Sequence, residues 1–316
     1  PREGAIEWIT SAGLEHVRVM REIAQDGGGE ARGCLLKIPM GQFFGGKSVP
    51  MVGIAGVAVP PEARGRGIAR AMMGACVREM HREGAVLSGL YCSTQALYRQ
   101  VGFEAAGSRF LSTVPTSRLI VAGQDGSERS GAALGKGGKI VPIGDAEMAE
   151  VKECRRRFAQ HTNGETDRGE YLWRRVHNLR GMQFHGFAVR GAEGAMEGYV
   201  FLAHEREGTA LRHGLVVSDV AFLSAETGRR IVRFLADFEP TVEAVTLPGG
   251  PVHPLLLLLT QQRYTVEFKD YWMIRVVHVQ RALEARGYRA HVSASVTLEV
   301  EDELVPENAG MYMLRV

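Results

Sequence analysis

Cysteine is scarce in this sequence: four residues, Cys34, Cys76, Cys92 and Cys154, with no C-x-x-C pair among them. Zinc sites and disulfide frameworks need clustered cysteines or regular Cys/His spacings, so neither is expected, and the thiols read as reduced and buried. His161, His177, His185, His204 and His213 also lack metal-ligand spacing, and no metal is expected. Long apolar runs are missing as well. The longest, Leu255–Leu259 within PVHPLLLLLT, falls far short of the roughly 20 residues that a membrane-spanning helix needs. Charge of one sign is not in excess: Lys+Arg 38 against Asp+Glu 36 gives a formal net charge of +2, with no basic block. Nucleic acid is therefore not an expected partner. The start carries no signal-peptide pattern, and the expected location is cytoplasmic with no membrane partner.

What is there is an ordinary globular composition, 45% apolar and 23% charged, in 316 residues, enough for two domains. Strand-like runs at 17–22 and 34–40 flank the turn-rich DGGGEARG, and a third at about 48–59 leads into a glycine–arginine turn. Apolar residues Ile68, Met72, Ala75, Cys76 and Met80 then recur at helical spacing, with Arg70, Arg78 and Arg82 on the other side. Gly84 stops this helix. A strand at 85–91, a short helix at Thr94–Val101 and a strand from Phe103 to about Val114 follow. This alternation predicts an α/β fold with some parallel pairing.

Residues 122–138, AGQDGSERSGAALGKGG, have no hydrophobic period and read as a linker or exposed loop. A second block spans 139–277, with strands near 139–143, 184–190, 195–204, 210–222, 241–247 and 263–277 and helices near 145–160, 168–177 and 225–238. Its order of elements echoes the first block and suggests a structural duplication. A third piece, 278–316, reads as a short helix and two strands joined by a turn at Pro306–Gly310. Two strands cannot bury a core alone, so they either dock on the second domain or begin a further one.

The turn Arg64-Gly65-Arg66-Gly67-Ile68-Ala69 constrains function most tightly. A strand ending Val57-Ala58-Val59 feeds a helix whose first N–H groups point outward at the positive end of the dipole, a natural seat for a pyrophosphate. A dinucleotide fold would show G-x-G-x-x-G and an acidic residue about 20 positions on, and a nucleoside triphosphatase G-x-x-x-x-G-K-[ST]. Arg70 stands where the third glycine would be, and neither pattern is present. A second segment, Ser93-Thr94-Gln95-Ala96-Leu97-Tyr98-Arg99-Gln100-Val101-Gly102-Phe103, lies downstream.

These two segments, in this order, resemble the acetyl-CoA loop and the Y-x-x-x-G-F segment of the GNAT superfamily of N-acetyltransferases. The tandem layout, HTNGETDRGEYLWRRV at 161–176 and VVHVQRALEARGY at 276–288 are similar to the enhanced intracellular survival (Eis) family. That resemblance implies an α/β (α+β) chain of tandem GNAT-like domains with mixed central sheets. The catalytic domain would span 1–121, a degenerate second one 139–277, and the start of a sterol-carrier-like domain 278–316. It implies that the family's opening elements are missing before about residue 10, and that most of the C-terminal domain lies beyond Val316.

Carried over by position, Val57 and Val59 would supply strand contacts, Arg64, Gly65, Gly67 and Ile68 the phosphate cradle, Ser93 a coenzyme contact, and Tyr98 the general acid. The implied reaction is acetyl-CoA-dependent transfer to a primary amine (aminoglycoside, polyamine or lysine-like) by direct attack. A homo-oligomer, hexamer or trimer, is implied too. Rivals stand beside this: a non-catalytic acyl-CoA- or metabolite-binding regulator on the same fold, a purely structural module, and, for Tyr98, a packing role. In the second block, Ser224 before the helix is a good N-cap and Glu226 adds negative charge there, so no coenzyme is expected at that junction. Cys92 has no histidine nearby in sequence and reads as a small buried hydrophobe. Arg155-Arg156-Arg157 and Arg174-Arg175 read as solvated or oligomer-facing.

Overall fold

The computed structural model describes residues 2–23, 29–122, 139–205 and 212–316. The expected linker at 122–138, apart from Ala122, and parts of the expected turn at 26–33 and strand at 210–222 lie outside them. In chain order the elements are α1 (Arg2–Ala12), β1 (Val17–Ile23), β2 (Gly29–Phe44), β3 (Lys47–Ala58), α2 (Ile68–Arg82), β4 (Leu87–Tyr91), α3 (Gln95–Arg99) and β5 (Glu104–Pro115). There follow β6 (Ile140–Pro142), α4 (Met148–Ala159), β7 (Thr166–Asp167), α5 (Glu170–His177), β8 (Asn178–Leu179), β9 (Met182–Gln183), β10 (His185–Arg190), β11 (Met196–Glu205) and β12 (His213–Phe222). The chain continues with α6 (Ala225–Ala236), β13 (Val242–Gly249), β14 (Thr265–Val276), α7 (Val279–Ala285), β15 (Ser295–Val300) and β16 (Gly310–Arg315).

Two compact units result, and neither is continuous in sequence. The first comprises Pro1–Gly107, Ala159–Leu172 and Asp270–Val316; the second comprises Ser108–Phe158 and Trp173–Lys269. The strand pair β15–β16 therefore packs with the first unit rather than with the second.

In the first unit, β1, β2 and β3 form an antiparallel meander. β3 pairs with β4 in parallel, β4 with β14 antiparallel, and β7 adds to the start of the β2–β3 turn. The period-2 alternation of strands sorts neighbours to opposite faces. Leu35 and Ile54 pack beneath α2 with Met72, Met73, Cys76, Val77 and Met80, while Leu36 and Ala55 face α1 with Trp8, Ile9 and Ala12. An ion network fixes α2 from below: buried Lys37 on β2 pairs with Glu79 at 3.4 Å and with Glu83, and Arg18 on β1 meets Glu79 at 2.8 Å. Burial alone would raise Glu79's pKa, but Arg18 and Lys37 together hold it below the usual carboxylate range.

The second unit orders its strands β5-β13-β12-β11-β10-β6, with only β12–β13 parallel. Its β12-α6-β13 crossover has the same order as β3-α2-β4, the duplication expected from the sequence. One face buries Ile231, Val232 and Leu235 of α6 against Val200, Leu215 and Val245, and the other buries Trp173, Phe201 and Tyr199.

Several expectations need correction. An 11-residue helix occupies Arg2–Ala12, a stretch for which no element was expected. β2 begins at Gly29, inside the stretch read as a turn. Arg155 is buried rather than solvated, its guanidinium 5.5 Å from the Phe158 ring. Apart from these corrections, a five-residue 3-10 helix, Pro254–Leu258, occupies much of PVHPLLLLLT, and His253 caps it by accepting the Leu255 N–H at 3.2 Å.

That cap makes the second unit acid-sensitive. His253 is buried, and burial pushes its pKa down to about 4. In the unfolded chain an imidazole titrates near 6.5, so between those values the unfolded state binds a proton that the folded state refuses. Unfolding free energy is expected to fall by about 1.4 kcal/mol per pH unit from about pH 6.5 down to 4 on this account. Denaturant unfolding at stepped pH measures it, and His253→Gln is expected to remove that slope.

Candidate functional site

The site begins where β3 and β4 part. They pair over three positions only, Met51 with Leu87, Val52 with Ser88 and Gly53 with Gly89. Beyond Gly53, β3 runs on to Ala58, still paired with β2 but through a register shift: Leu36 opposes Ala55 and Cys34 opposes Ala58. β3 thus carries one extra residue near Gly56, a bulge that bends the strand, with the Trp8 ring against it. The β3 edge that faces β4 before the bulge has no strand partner after Gly53 among the described residues, leaving backbone donors and acceptors for an extended ligand.

The turn after β3 is built to stay open. Pro61–Ala63 form a single 3-10 turn, and Ala63 is buried. Arg64 to Gly67 are then exposed. Gly65 and Gly67 both have φ +74°, and Gly67 is the N-cap of α2 with no side chain capping the helix. No acidic residue lies in the first turn of α2, whereas His81 and Arg82 sit in the last, matching its dipole. Built Cβ atoms at Gly65 or Gly67 would meet nothing within 4 Å. The glycines thus serve the backbone conformation and leave free space in front of it.

In front of this helix start lies a cleft of about 310 Å³, lined by Val59, Ala63, Arg64, Gly65, Gly67, Ile68, Ala69, Arg70, Leu97 and Gln100. Five of the candidate residues, Val59, Arg64, Gly65, Gly67 and Ile68, therefore meet at one cavity. Arg64 is steadied by its Nε, which donates to the Val59 carbonyl at 3.3 Å. Arg70, Leu97 and Gln100 were not among the expected site residues. Arg70 is in the first turn of α2, and Leu97 and Gln100 stand three apart on the α3 side, a helical spacing that carries the signal only once α3 is known to face the loop.

Val57, Ser93 and Tyr98 are not among the residues that line the cleft. Val57, Cys92 and Leu97 pack against the buried cluster that contains Tyr98, Val101 and Phe103. Tyr98 is 5% exposed and meets Phe103 edge-on, centroids 6.3 Å apart. Burial foremost, and Cys92 second, raise the Tyr98 phenol above its ordinary pKa, against a hydrogen bond with the exposed Ser93 hydroxyl. The phenol is thus kept protonated at neutral pH, the state an acid needs.

The matching junction of the second unit is closed. Ser224 caps α6 by accepting the Thr227 N–H at 3.1 Å, and Glu226 in the first turn approaches Arg229 at 3.4 Å and Arg233 at 3.5 Å. Donors and charge are satisfied internally there. Among the described residues no group of three or more His, Cys, Asp or Glu is arranged to hold a metal, and no helix is long and apolar enough to cross a membrane.

Comparison with known proteins finds three domain matches along the chain. Residues 12–106 and 164–276 each match an acetyltransferase (GNAT) domain family, and 279–316 match a sterol carrier protein domain. The chain is 26% identical over 322 residues to N-acetyltransferase Eis of Mycobacterium tuberculosis, covering 99% of this chain and 75% of that one. A crystal structure of a GCN5-related N-acetyltransferase from Anabaena variabilis is 31% identical, with TM-score 0.86 over 99% of this chain and 76% of that one. Eis1 from Mycobacterium abscessus, 22% identical with TM-score 0.71 over 100% and 83%, shares the fold.

The two kinds of glycine in the site should respond differently to alanine. Gly67→Ala meets no atom, so its expected cost is the left-handed conformation alone, about 1–2 kcal/mol. Gly102 has φ +80°, and a Cβ there would sit 1.6 Å from Nη1 of Arg275. Gly102→Ala is expected to add an overpacking cost of about 1–3 kcal/mol to the same strain. Urea unfolding of the two variants side by side checks the order.

Proposed function

This chain belongs to the GCN5-related N-acetyltransferases, as an Eis-like tandem GNAT protein, and we propose that its first unit transfers acetyl from acetyl-CoA directly to a primary amine with Tyr98 as general acid. The observation that carries the reading is the uncapped start of α2, open on a cleft with Arg64 and Arg70 at its wall and α3 opposite.

The pyrophosphate sits on the N–H groups of Gly65 to Ile68, where dipole and arginines favour it. The pantetheine arm extends along β3 by Val57 and Val59, in the space left where β4 parts, and Ser93 contacts the coenzyme near its sulfur. An N–H of the bulged strand near Val57 polarises the thioester carbonyl. The amine attacks that carbonyl carbon; a C–N bond forms, the C–S bond breaks, the thiolate takes the Tyr98 proton, and the proton released by the amine nitrogen passes to solvent, from which the Tyr98 phenolate is reprotonated. Holding both reactants in one cleft supplies most of the advantage, and Tyr98 supplies the proton without first having to gain it. The second unit, whose α6 start is capped, binds no acetyl-CoA.

Tyr98→Phe is expected to lower kcat about 100-fold, the lower range for a general acid, with KM for acetyl-CoA within threefold. Thiol release from acetyl-CoA with polyamines, aminoglycosides and lysine peptides as acceptors measures it. Unchanged kcat in Tyr98→Phe would remove its acid role, and acetyl-CoA binding without turnover on any acceptor would favour a regulator. Titration calorimetry is expected to give one acetyl-CoA per chain; two would overturn the reading of α6.

A further inference from the structure

The helix that carries Tyr98 cannot hold its own geometry. α3 has five residues, and isolated helices so short do not persist in water. Its anchorage lies on the C-terminal side. The Tyr98 carbonyl accepts the N–H groups of Val101 and Phe103, each at 3.1 Å, so Tyr98 to Phe103 is a hydrogen-bonded turn. The Val101 carbonyl in its turn accepts Nη1 of Arg275 at 3.0 Å. Gly102, the glycine of the Y-x-x-x-G-F segment, leaves the room in which that guanidinium passes.

Arg275 stands on β14 and is 5% exposed. A guanidinium so buried needs a counter-charge. Asp302 supplies it, both carboxylate oxygens accepting Nη2 at 2.8 and 2.7 Å. Asp302 lies between β15 and β16 and is itself fixed. It accepts the N–H groups of Leu304 at 3.1 Å and Val305 at 3.0 Å, and Nδ2 of buried Asn308 at 3.0 Å. Asn308 also donates to the Val277 carbonyl and accepts the Val279 N–H. Burial would raise the Asp302 pKa, but Arg275, Asn308 and Val305 outweigh it and hold the carboxyl below its ordinary value.

We infer that Arg275 and Asp302 are positioning residues for Tyr98: Asp302, from the sterol-carrier-like segment, fixes Arg275, and Arg275 fixes through the Val101 carbonyl the turn that aims the phenol. This rests on the reading of Tyr98 as the acid. The segment after β14 thereby takes part in the rate of a site whose ligand loop it does not line.

A merely structural ion pair makes different predictions. Replacing both partners in the full chain (Arg275→Met with Asp302→Leu) removes the two charges at similar volume, a change that buried pairs often tolerate. The Val101 carbonyl then lacks its donor. The expected result is a folded protein with kcat 10- to 100-fold lower and KM for acetyl-CoA within threefold. Arg275→Lys is expected to recover part of that loss. In a Tyr98→Phe background the double replacement should lower kcat by less than twofold more, because both act through one group. A readout without turnover is the ¹⁹F signal of fluorotyrosine at position 98, assigned with Tyr98→Phe, expected to shift or broaden in the double variant.

A folded double variant with kcat within twofold of wild type and an unmoved Tyr98 signal overturns the inference, as do losses that multiply with those of Tyr98→Phe. Wild-type kcat in Tyr98→Phe with the pair intact is a separate result that overturns the acid reading, and the aiming role with it. Should the double variant not fold, Arg275→Lys decides. Its kcat must fall at least fivefold at unchanged KM and its Tyr98 signal must move, or the inference fails.

Discussion

Two parallel strands that pair over only three residues govern the first unit. β3 and β4 meet from Met51 to Gly53 and then separate. Parallel ladders are ordinarily covered and continuous, so a ladder that stops while both strands continue leaves backbone on β3 without a strand partner on that side. The bulge near Gly56 bends β3 away, and α2 begins just past the point where β3 ends. Separation, bulge and uncapped helix start put strand edge and helix dipole at the same opening. The cleft follows from backbone geometry before any side chain is chosen. Arg64 and Arg70 then bias it toward an anion.

The second unit shows how little must change to close such an opening. Its β12-α6-β13 crossover repeats the β3-α2-β4 order, with α6 three residues shorter than α2. The difference is at the helix start. Ser224 in extended conformation accepts the Thr227 N–H on its hydroxyl oxygen, where Gly67 in left-handed conformation has no side chain to accept one. Glu226 then replaces an incoming anion with a covalent one and is answered by Arg229 and Arg233. One scaffold has an open helix start or a sealed one according to a single cap and a single charge.

The loop, α2 and the Tyr98 segment were legible because their signals are local. A glycine pair at a strand-to-helix junction, helical apolar spacing from Ile68 to Met80 and a tyrosine four residues before Gly102 are all short-range patterns. What was not legible depends on partners distant in sequence. Gly56 is one glycine inside an apolar strand, and only its register with Cys34 and Leu36 makes it a bulge. Leu97 and Gln100 join the cleft because α3 folds back toward the loop. The non-contiguous units arise from β7 pairing with β2 and β14 with β4, contacts more than a hundred residues apart. Arg155 reads as surface in a run of three arginines, and only the fold buries it against Phe158.

The chain of polar groups from Val101 through Arg275 and Asp302 to Asn308 is the part of the first unit that hydrophobic patterning explains least. Removing charges from water is costly, and apolar side chains of the same volume commonly do as well for stability. What an ion pair supplies and an apolar contact lacks is direction. The guanidinium must point one donor at the Val101 carbonyl and another at a carboxylate whose own position is set by two backbone N–H groups and an amide. Methionines and leucines surround the same turn, and they would fill the space in several arrangements of nearly equal energy. A five-residue helix resting on such a surface would settle without a fixed heading. With its last turn tied to this network, the same helix has one heading, and the phenol it carries has one place to be.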